Sequence, residues 1–222
     1  MDVEFLKKDL GVVIDSDLTF DEHILTKVRV ANATVGLIRR TFSYLDPVMF
    51  LMLFTAFVRP HLEYAVAVWS PHLKKHIDAI ENVQIRATKL VDGFGKLTYQ
   101  ERLEKLNLQT LAYRRLRGDI IEIYKHFHRY DQKILPPSFT RRTRPSRQHG
   151  FQLHEINPED GERGPHSNFL YQRIIRVWNE LPRSTIVADN INTFKNNLDA
   201  HLDEHPMKYN HRAAMSNTNI EE

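Results

Sequence analysis

The stretch that decides the fold is FVRPHLEYAVAVWSP, Phe57–Pro71, together with the run Lys74–Val91 that follows it. It continues an almost wholly apolar segment, Val48–Val58. Proline has no backbone N–H and disfavours helical geometry at the residue before it. We therefore expect one helix to end near Arg59 and a second to begin with Pro60 in its first turn, where proline is tolerated.

Apolar residues recur with helical periodicity on both sides of this stretch. In Asp21–Phe42 and in Lys74–Val91 they are spaced about three or four residues apart, which is typical of amphipathic helices. Val48–Val58 lacks a polar face, so we predict that it is buried on all sides. The β-branched run Val12–Ile14 predicts a short strand in a hairpin. The fold class is therefore mainly α: a helical bundle with a short N-terminal β-hairpin and a separate helical C-terminal unit.

The composition excludes several classes of protein. The chain has 222 residues and no cysteine, which rules out disulfides, thiol catalysis and cysteine-ligated zinc. Charged residues interrupt the N-terminus, so we find no secretory signal pattern. The longest apolar run, Pro47–Val58, is shorter than the ~20 residues that a membrane helix needs. We expect no membrane association and a location inside the cell, in the cytoplasm or the nucleus.

Proline, glycine and arginine mark the boundaries between the parts of the chain. We predict a β-structured edge over residues 1–20 and a helical bundle over 21–130. A basic connector rich in proline and arginine follows over 131–165, because a structureless run of this length is unusual within one compact domain. A helical unit over 166–205 and a disordered polar tail over 206–222 complete the chain.

Charge is distributed unevenly along the sequence. Residues 1–70 hold 7 basic and 9 acidic groups, whereas residues 71–147 hold 17 basic and 8 acidic groups. Residues 148–222 hold 7 basic and 11 acidic groups. The middle of the chain is therefore strongly positive between two mildly acidic flanks, which favours a polyanionic partner over a neutral one.

Three groups of spaced residues carry a resemblance to a known family. The first group is Leu10, Gly11, Val12, Asp15, Leu18, Phe20, His23 and Ile24. The second is Arg59, Pro60, Leu62, Glu63, Tyr64, Trp69, Pro71, Glu81, Val83, Gln84, Arg86, Ala87 and Lys89, with the pattern over Leu103–Arg115 after it. The third is Phe169, Arg173, Ile175, Trp178, Asn179, Leu181, Pro182, Thr193, Phe194, Lys195, Leu198 and Asp199. The pattern resembles the post-palm part of reverse transcriptases of LINE-type (non-LTR) retrotransposons, in particular the jockey/CR1-like group.

The resemblance implies a position relative to the catalytic site of that family. In the family, the matching segment begins after the palm and includes the thumb, a helical bundle that grips the template–primer duplex. The palm carries the carboxylates that hold two magnesium ions, some of them on a hairpin that reads YADD or similar. This sequence has no adjacent pair of aspartates. We therefore expect a non-catalytic fragment of an RNA-directed DNA polymerase, which is not itself an enzyme and holds no cofactor.

Basic side chains are the candidates for contact with a nucleic-acid backbone, since arginine and lysine bind phosphate without reading sequence. The candidate residues are Lys74, Lys75, Arg86, Lys89, Arg114, Arg115, Arg117, Arg141, Arg142, Arg144 and Arg147. The expected partner is the backbone of an RNA–DNA or RNA duplex. Each of these side chains could instead solvate a helix or pair with an acidic neighbour.

Two other functions remain open from the sequence. The helical bundle could be a protein-interaction scaffold, with its basic surface binding an acidic partner. A protein partner could also cover the edge left by the missing palm, where Phe5, Leu10, Val12 and Ile14 are apolar. Alternatively, the chain could be a decayed remnant without a selected function.

Metal and nucleophile chemistry have little support in the sequence. His72 and His76 are four residues apart, as are His201 and His205, but neither pair has the third or fourth ligand that zinc requires. We therefore predict no metal site. Trp69 and Trp178 could stack on bases, but each lies on an apolar helical face beside a proline, which favours a place in the core.

Overall fold

The computed structural model describes residues 6–129, 152–153 and 170–214, and over these ranges the chain is mainly helical, as its periodicity predicts. The elements in chain order are β1 (Lys7–Asp9), β2 (Val12–Ile14), α1 (Asp21–Thr41), α2 (Pro47–Leu53), a π-helical turn (Phe54–Val58), α3 (Arg59–Glu63), α4 (Val66–Trp69), α5 (Lys74–Ala87), a 3-10 turn (Thr88–Leu90), α6 (Tyr99–Leu106), α7 (Leu111–Arg129), α8 (Leu170–Glu180), α9 (Arg183–Ile186), α10 (Ile191–His201) and a 3-10 turn (Pro206–Lys208). None of the helices described is long and apolar enough to cross a bilayer.

The chain divides into two compact units. The first comprises residues 1–113 and 209–211, and the second comprises 114–208 and 212–222. The division falls inside α7, whereas the sequence places a boundary at residue 130. Of the predicted connector 131–165, the structure describes residues 152 and 153 alone, so the connector remains a prediction.

The N-terminal hairpin is attached to the start of α1. β1 and β2 pair antiparallel, with Lys7 opposite Ile14. The Asp15 carboxylate accepts hydrogen bonds from the backbone N–H groups of Thr19 and Phe20, at 2.8 and 2.6 Å. Phe20 is buried and takes a left-handed conformation, with φ of 57°. These contacts fix the angle at which the hairpin enters the helical bundle.

His23 joins the hairpin to the core of the first unit. Its Nδ1 atom accepts a hydrogen bond from the backbone N–H of Val13 at 3.1 Å, and its ring lies 5.2 Å from the Trp69 ring. Val12 is only 5% exposed, so the prediction that this edge exposes apolar side chains is wrong at that residue. Leu10, at the turn, is exposed. Phe5 lies outside the described residues.

The helix that precedes Pro60 does not end where the sequence predicts. Arg59 is helical, with φ of −59° and ψ of −37°, and its N–H donates to the carbonyl of Phe54, five residues earlier. In a regular α-helix the Pro60 ring would collide with the carbonyl four residues before it. The wider π turn at Phe54–Val58 accommodates the proline, so α2 continues into α3 instead of stopping.

The helix that contains Pro60 ends at Glu63, and a separate short helix, α4, follows it. Tyr64 is extended, and Ala65 has a positive φ of 54°. The indole Nε1 of Trp69 donates to the Tyr64 carbonyl at 2.7 Å, which satisfies a group that the break leaves without a helical partner. The two buried tryptophans confirm the prediction of core positions, since Trp69 and Trp178 are 1% and 0% exposed.

The apolar segment Val48–Val58 is buried on one side, and the prediction that it is buried on all sides is wrong. Phe50, Phe54 and Val58 are at most 2% exposed. Val48, by contrast, is 67% exposed. The helix therefore presents apolar side chains both to the core and to the solvent.

Glu81 is the central polar residue of the first unit. It is completely buried on α5, and its carboxylate accepts hydrogen bonds from the backbone N–H groups of Leu111 and Ala112 at 3.0 and 3.3 Å. These N–H groups belong to the first turn of α7, which has no intrahelical acceptor for them. The carboxylate also lies at the positive end of the α7 dipole, so it caps that helix from a distance of 30 residues in sequence.

The neighbours of Glu81 extend this network to α6. The Tyr99 hydroxyl donates to Glu81, and burial together with this carboxylate raises the pKa of Tyr99, so the phenol remains a donor. The Gln84 amide donates to the Tyr99 hydroxyl and to the Gln109 carbonyl, both at 2.9 Å. Buried Arg102 donates to Thr88 at 3.0 Å. Side chains of α5 thus fix both α6 and the start of α7.

The second unit is built around α7, α8 and α10. Phe194 of α10 stacks on Tyr124, with ring centroids 3.9 Å apart, and Phe127 stacks on Trp178 at 5.5 Å. The Arg173 guanidinium donates to both oxygens of Asp119 at 2.8 and 3.0 Å. Burial raises the pKa of Asp119, and this guanidinium opposes that effect.

The polar tail begins later than the sequence predicts. Residues 206–214 are described, and Met207, within the 3-10 turn Pro206–Lys208, is 2% exposed. His211 contacts the Asp78 carboxylate at 3.0 Å. The prediction of disorder from Pro206 onwards is therefore wrong for this part. A buried methionine stabilises a short segment that its polar composition does not reveal.

We predict that Glu81→Gln lowers the free energy of unfolding by about 1–3 kcal/mol, because an amide places donors against the N–H groups of α7. Urea denaturation at pH 7 measures the change. The matched control is Glu104→Gln on α6, an exposed position, which should change stability by less than ~0.5 kcal/mol. Equal effects of the two variants would contradict the capping role.

We also predict that stability falls as the pH is lowered from about 6.5 to 4. Burial lowers the pKa of His23 to about 4 from its ordinary value of 6.5. The unfolded chain therefore binds a proton in this range and the folded chain does not, which costs up to ~3 kcal/mol at the acid end. His23→Asn keeps an acceptor for the Val13 N–H and removes the titrating group.

Urea denaturation of the wild type and His23→Asn at pH 7, 6, 5 and 4 tests this linkage. The difference between the two stabilities should shift in favour of the variant as the pH falls. Curves that remain parallel over the whole range would show that His23 titrates normally in the folded chain.

Candidate nucleic-acid interface

The predicted cations at the start of α5 lie beside the start of α1. Lys74 and Lys75 are both exposed. The Lys75 ammonium contacts the Asp21 carboxylate at 2.8 Å, and buried His76 contacts the same carboxylate at 3.3 Å. The Lys75 and His76 contacts lower the pKa of Asp21 although burial opposes them. Lys75 is thus partly neutralised by a carboxylate of its own unit.

α1 and α5 lie side by side and run in the same direction. Lys75 contacts Asp21, and further along both helices the Arg86 guanidinium lies 3.4 Å from the Asn32 side-chain oxygen. Each pair is separated by 54 residues, so the register between the two helices is constant over this length. In this register α5 lies beside the N-terminal two thirds of α1, and the last turns of α1 extend past the end of α5.

Four exposed cations lie along the last turns of α1, at the end of α5 and in the 3-10 turn after it, and we name them the cationic strip: Arg39, Arg40, Arg86 and Lys89. Arg39 lies seven residues after Asn32, which puts the two residues on the same face of α1. The Arg40 guanidinium lies against Gly36, 3.5 Å from the position that a Cβ atom would take there. The strip extends over roughly 11 Å along the helix axes, at 1.5 Å per residue.

Acidic residues are missing from the sequence around the cationic strip. Between His23 and Leu45 the chain has no aspartate or glutamate, and none occurs from Asn82 to Val91. Asp92 is the first acid after Lys89. The helices that carry the strip therefore contribute no carboxylate within these stretches, and the acids that follow, Asp46 and Asp92, lie beyond the helix ends.

The remaining predicted cations are not part of this strip. Arg115 is 6% exposed, and the Arg117 guanidinium makes a two-point ion pair with the Asp199 carboxylate. Arg114, half-buried, lies with them in the second unit. The arginine triplet of α7 therefore contributes to the packing of that unit. Arg141, Arg142, Arg144 and Arg147 lie outside the described residues.

Comparison with known proteins does not assign the chain to a family. No protein-family model matches the sequence, and no solved structure matches the chain. "Uncharacterized protein B0403.1" of Caenorhabditis elegans is 24% identical over 123 residues, which cover 54% of this chain and 60% of that protein. The chain thus matches less than two thirds of this relative's length.

Sequence reasoning identified Arg86 and Lys89 but missed Arg39 and Arg40. The two α1 arginines have a local explanation, since cations in the last turn of a helix complement its dipole. Their second property, a position beyond Asn32 on the helix that Arg86 contacts, depends on a tertiary register. The acid-free stretch from His23 to Leu45 is the sequence signal that could have drawn attention to them.

Histidine pairs do not form a metal centre in the part of the chain that the structure describes. There, no group of three or more histidine, aspartate or glutamate side chains is placed to hold an ion. His76 is engaged with Asp21, and burial lowers the pKa of His76 and of His201. The buried position of His76 is explained by its packing and its contact with Asp21, whereas His201 is exposed.

We predict that Arg115→Ala lowers the free energy of unfolding by about 1–3 kcal/mol, because it removes buried side-chain packing from α7. Arg86→Ala should change stability by less than ~0.5 kcal/mol, since that side chain is exposed. Thermal or urea denaturation distinguishes the two. A neutral Arg115→Ala would indicate that α7 presents this residue to solvent, as the sequence suggested.

Proposed function

We propose that the chain is a non-catalytic helical module that binds the sugar–phosphate backbone of a nucleic-acid duplex through the cationic strip. The observation that carries this proposal is the parallel register of α1 and α5, which places four exposed cations along the last turns of α1 and the end of α5, in stretches of sequence without aspartate or glutamate. Backbone phosphates attract such a surface without base-specific contacts, and affinity then arises from the release of counterions.

The proposed origin of the module is the post-palm part of a LINE-type reverse transcriptase. The resemblance in sequence supports it, and so does the way in which the resembling residues are used. Glu81 and Gln84 join α5 to α6 and α7, and Arg173 and Asn179 make buried contacts in the second unit. A diverged descendant is expected to keep the residues that stabilise its fold, and the resembling residues have such roles here. The sequence has no adjacent pair of aspartates for the magnesium ions of that family, so no polymerase activity is proposed for it.

An RNA–DNA hybrid is the duplex that this origin favours, with an RNA duplex as the alternative. Neither proposal requires base recognition, because arginine and lysine on a helix surface contact phosphates of either duplex. We therefore expect modest, sequence-independent affinity, with a dissociation constant on the order of micromolar at moderate salt.

The test is fluorescence anisotropy of a labelled 20-base-pair RNA–DNA hybrid with the full chain, over a series from 50 to 400 mM salt. The logarithm of the affinity should fall linearly with the logarithm of the salt concentration. Replacing all four residues of the cationic strip by alanine should reduce the slope by up to ~4, because each lost phosphate contact removes about one released counterion.

A matched control distinguishes the effect of the cationic strip on binding from the effect of net charge. Lys7, Lys8, Arg176 and Arg183 are exposed cations elsewhere on the chain, and replacing them by alanine removes the same number of charges. This variant should keep most of the slope of the wild type. Equal losses in the two variants would mean that binding is diffuse, and no binding at 50 mM salt by a folded sample would refute the proposal.

The second candidate function is a protein-interaction scaffold. It is favoured by the exposed apolar side chains of α2 and α3, which a purely nucleic-acid-binding module does not need. If the salt series shows no binding, this function becomes the leading one. The two candidates are compatible, since the cations and the apolar side chains belong to different helices.

A further inference from the structure

The solvent-facing side of the segment from α2 to α4 is an apolar surface without a charge, which we name the apolar face. Its exposed residues are Pro47, Val48, Met52, Ala56, Phe57, Pro60, Tyr64 and Val68. Met52, Phe57 and Tyr64 are 60%, 58% and 54% exposed. Arg59 and Glu63, the basic and the acidic residue in this range, pair with each other at 3.6 Å.

The apolar face continues without interruption because of the π turn. Met52 and Phe57 are five residues apart, a spacing that would rotate them away from each other on a regular α-helix. The π turn at Phe54–Val58 absorbs the extra residue, so both side chains remain exposed on the outer side. The segment has the apolar composition of a helix that is buried on all sides, but one of its sides is exposed to solvent.

The residues of the apolar face have a symmetric arrangement about Ala56. Val48, Met52, Ala56, Pro60 and Tyr64 follow one another at intervals of four residues. If two copies of this face packed antiparallel, Val48 would lie opposite Tyr64 of the other copy and Met52 opposite its Pro60. Ala56 would meet its own counterpart, where a small side chain permits close approach of the helices. An isologous interface requires this kind of self-complementarity.

The area of the apolar face is suited to such a contact. Its exposed side chains present on the order of 700 Å², close to the roughly 800 Å² per partner of a stable protein interface. Contiguous apolar patches of this size are unusual on monomers. A strongly charged partner would find no complementary charge here. Repulsion between two copies is also small, because residues 1–70, which contain the whole segment from the hairpin to α4, carry a net charge of only −2.

We propose that the apolar face is a homodimer interface, in which α2, the π turn and α3 pack antiparallel on the same elements of a second copy about a two-fold axis near Ala56. The proposal does not rest on nucleic-acid binding. It assigns a partner to a surface that the described residues of one copy leave exposed, apart from the Tyr64 hydroxyl, which donates to the Leu10 carbonyl at 3.0 Å.

Sedimentation equilibrium of the full chain from 1 to 200 μM is the test. We expect a reversible monomer–dimer equilibrium that Phe57→Glu weakens at least tenfold. The matched controls are Leu37→Glu and Val187→Glu, which place the same charge at apolar positions that are 56% and 57% exposed outside the face. Both should retain the dimer. Circular dichroism confirms that each variant keeps its helical content.

Several outcomes would overturn the proposal. A wild-type chain that is monomeric at every concentration would show that the face does not pair with a second copy. The occupant would then have to be a different protein or another segment of this chain. Open-ended association, or a dimer that Leu37→Glu weakens as much as Phe57→Glu does, would exclude a two-fold contact here.

Cysteine cross-linking keeps the proposal testable if Phe57→Glu fails to fold, and the chain offers a cysteine-free background. Ala56→Cys should form a disulfide-linked dimer under mild oxidation, whereas Leu37→Cys should not. A mixture of Val48→Cys and Tyr64→Cys should cross-link more than either variant alone. Equal cross-linking of Ala56→Cys and Leu37→Cys would contradict the proposed axis.

Discussion

The first unit depends on the burial of one carboxylate. A buried glutamate is destabilising unless donors surround it, and Glu81 meets three donors: the Tyr99 hydroxyl and the N–H groups of Leu111 and Ala112. Those N–H groups would otherwise be buried without acceptors at the start of α7. Each side therefore satisfies the other, and α5, α6 and α7 can pack together only in the arrangement that brings them into contact.

Much of this architecture could be predicted from the sequence. Apolar periodicity predicts helices at α1, α5, α7, α8 and α10. The capping-box spacing of Thr98 and Glu101 predicts the start of α6, and both hydrogen bonds of the capping box are present in the structure. These features succeed because they are local: a helix face or a cap is encoded within a few residues. The two tryptophans also follow from local pattern, since each lies on an apolar face before a proline.

The features that could not be predicted from the sequence depend on contacts between residues that are far apart in the chain. Pro60 has a known local effect, but the choice between ending the helix and widening it at Phe54–Val58 depends on how Phe50, Phe54 and Val58 pack in the core. The cations of α7 look alike in sequence, yet Arg115 is buried and Arg117 pairs with Asp199. The cationic strip requires a register over 54 residues, and no local pattern contains that information.

The parallel alignment of α1 and α5 has a consequence for how the chain reaches its native state. Neighbouring helices joined by a short turn are antiparallel, and their contacts form after small loops close. Here the connecting chain must travel back along α1 before α5 can pack, so each contact between them closes a loop of about 54 residues. Such a pairing raises the contact order above that of a simple up-and-down bundle and slows folding accordingly. The segment from α2 to α4 is thus the return path without which the pair could not assemble.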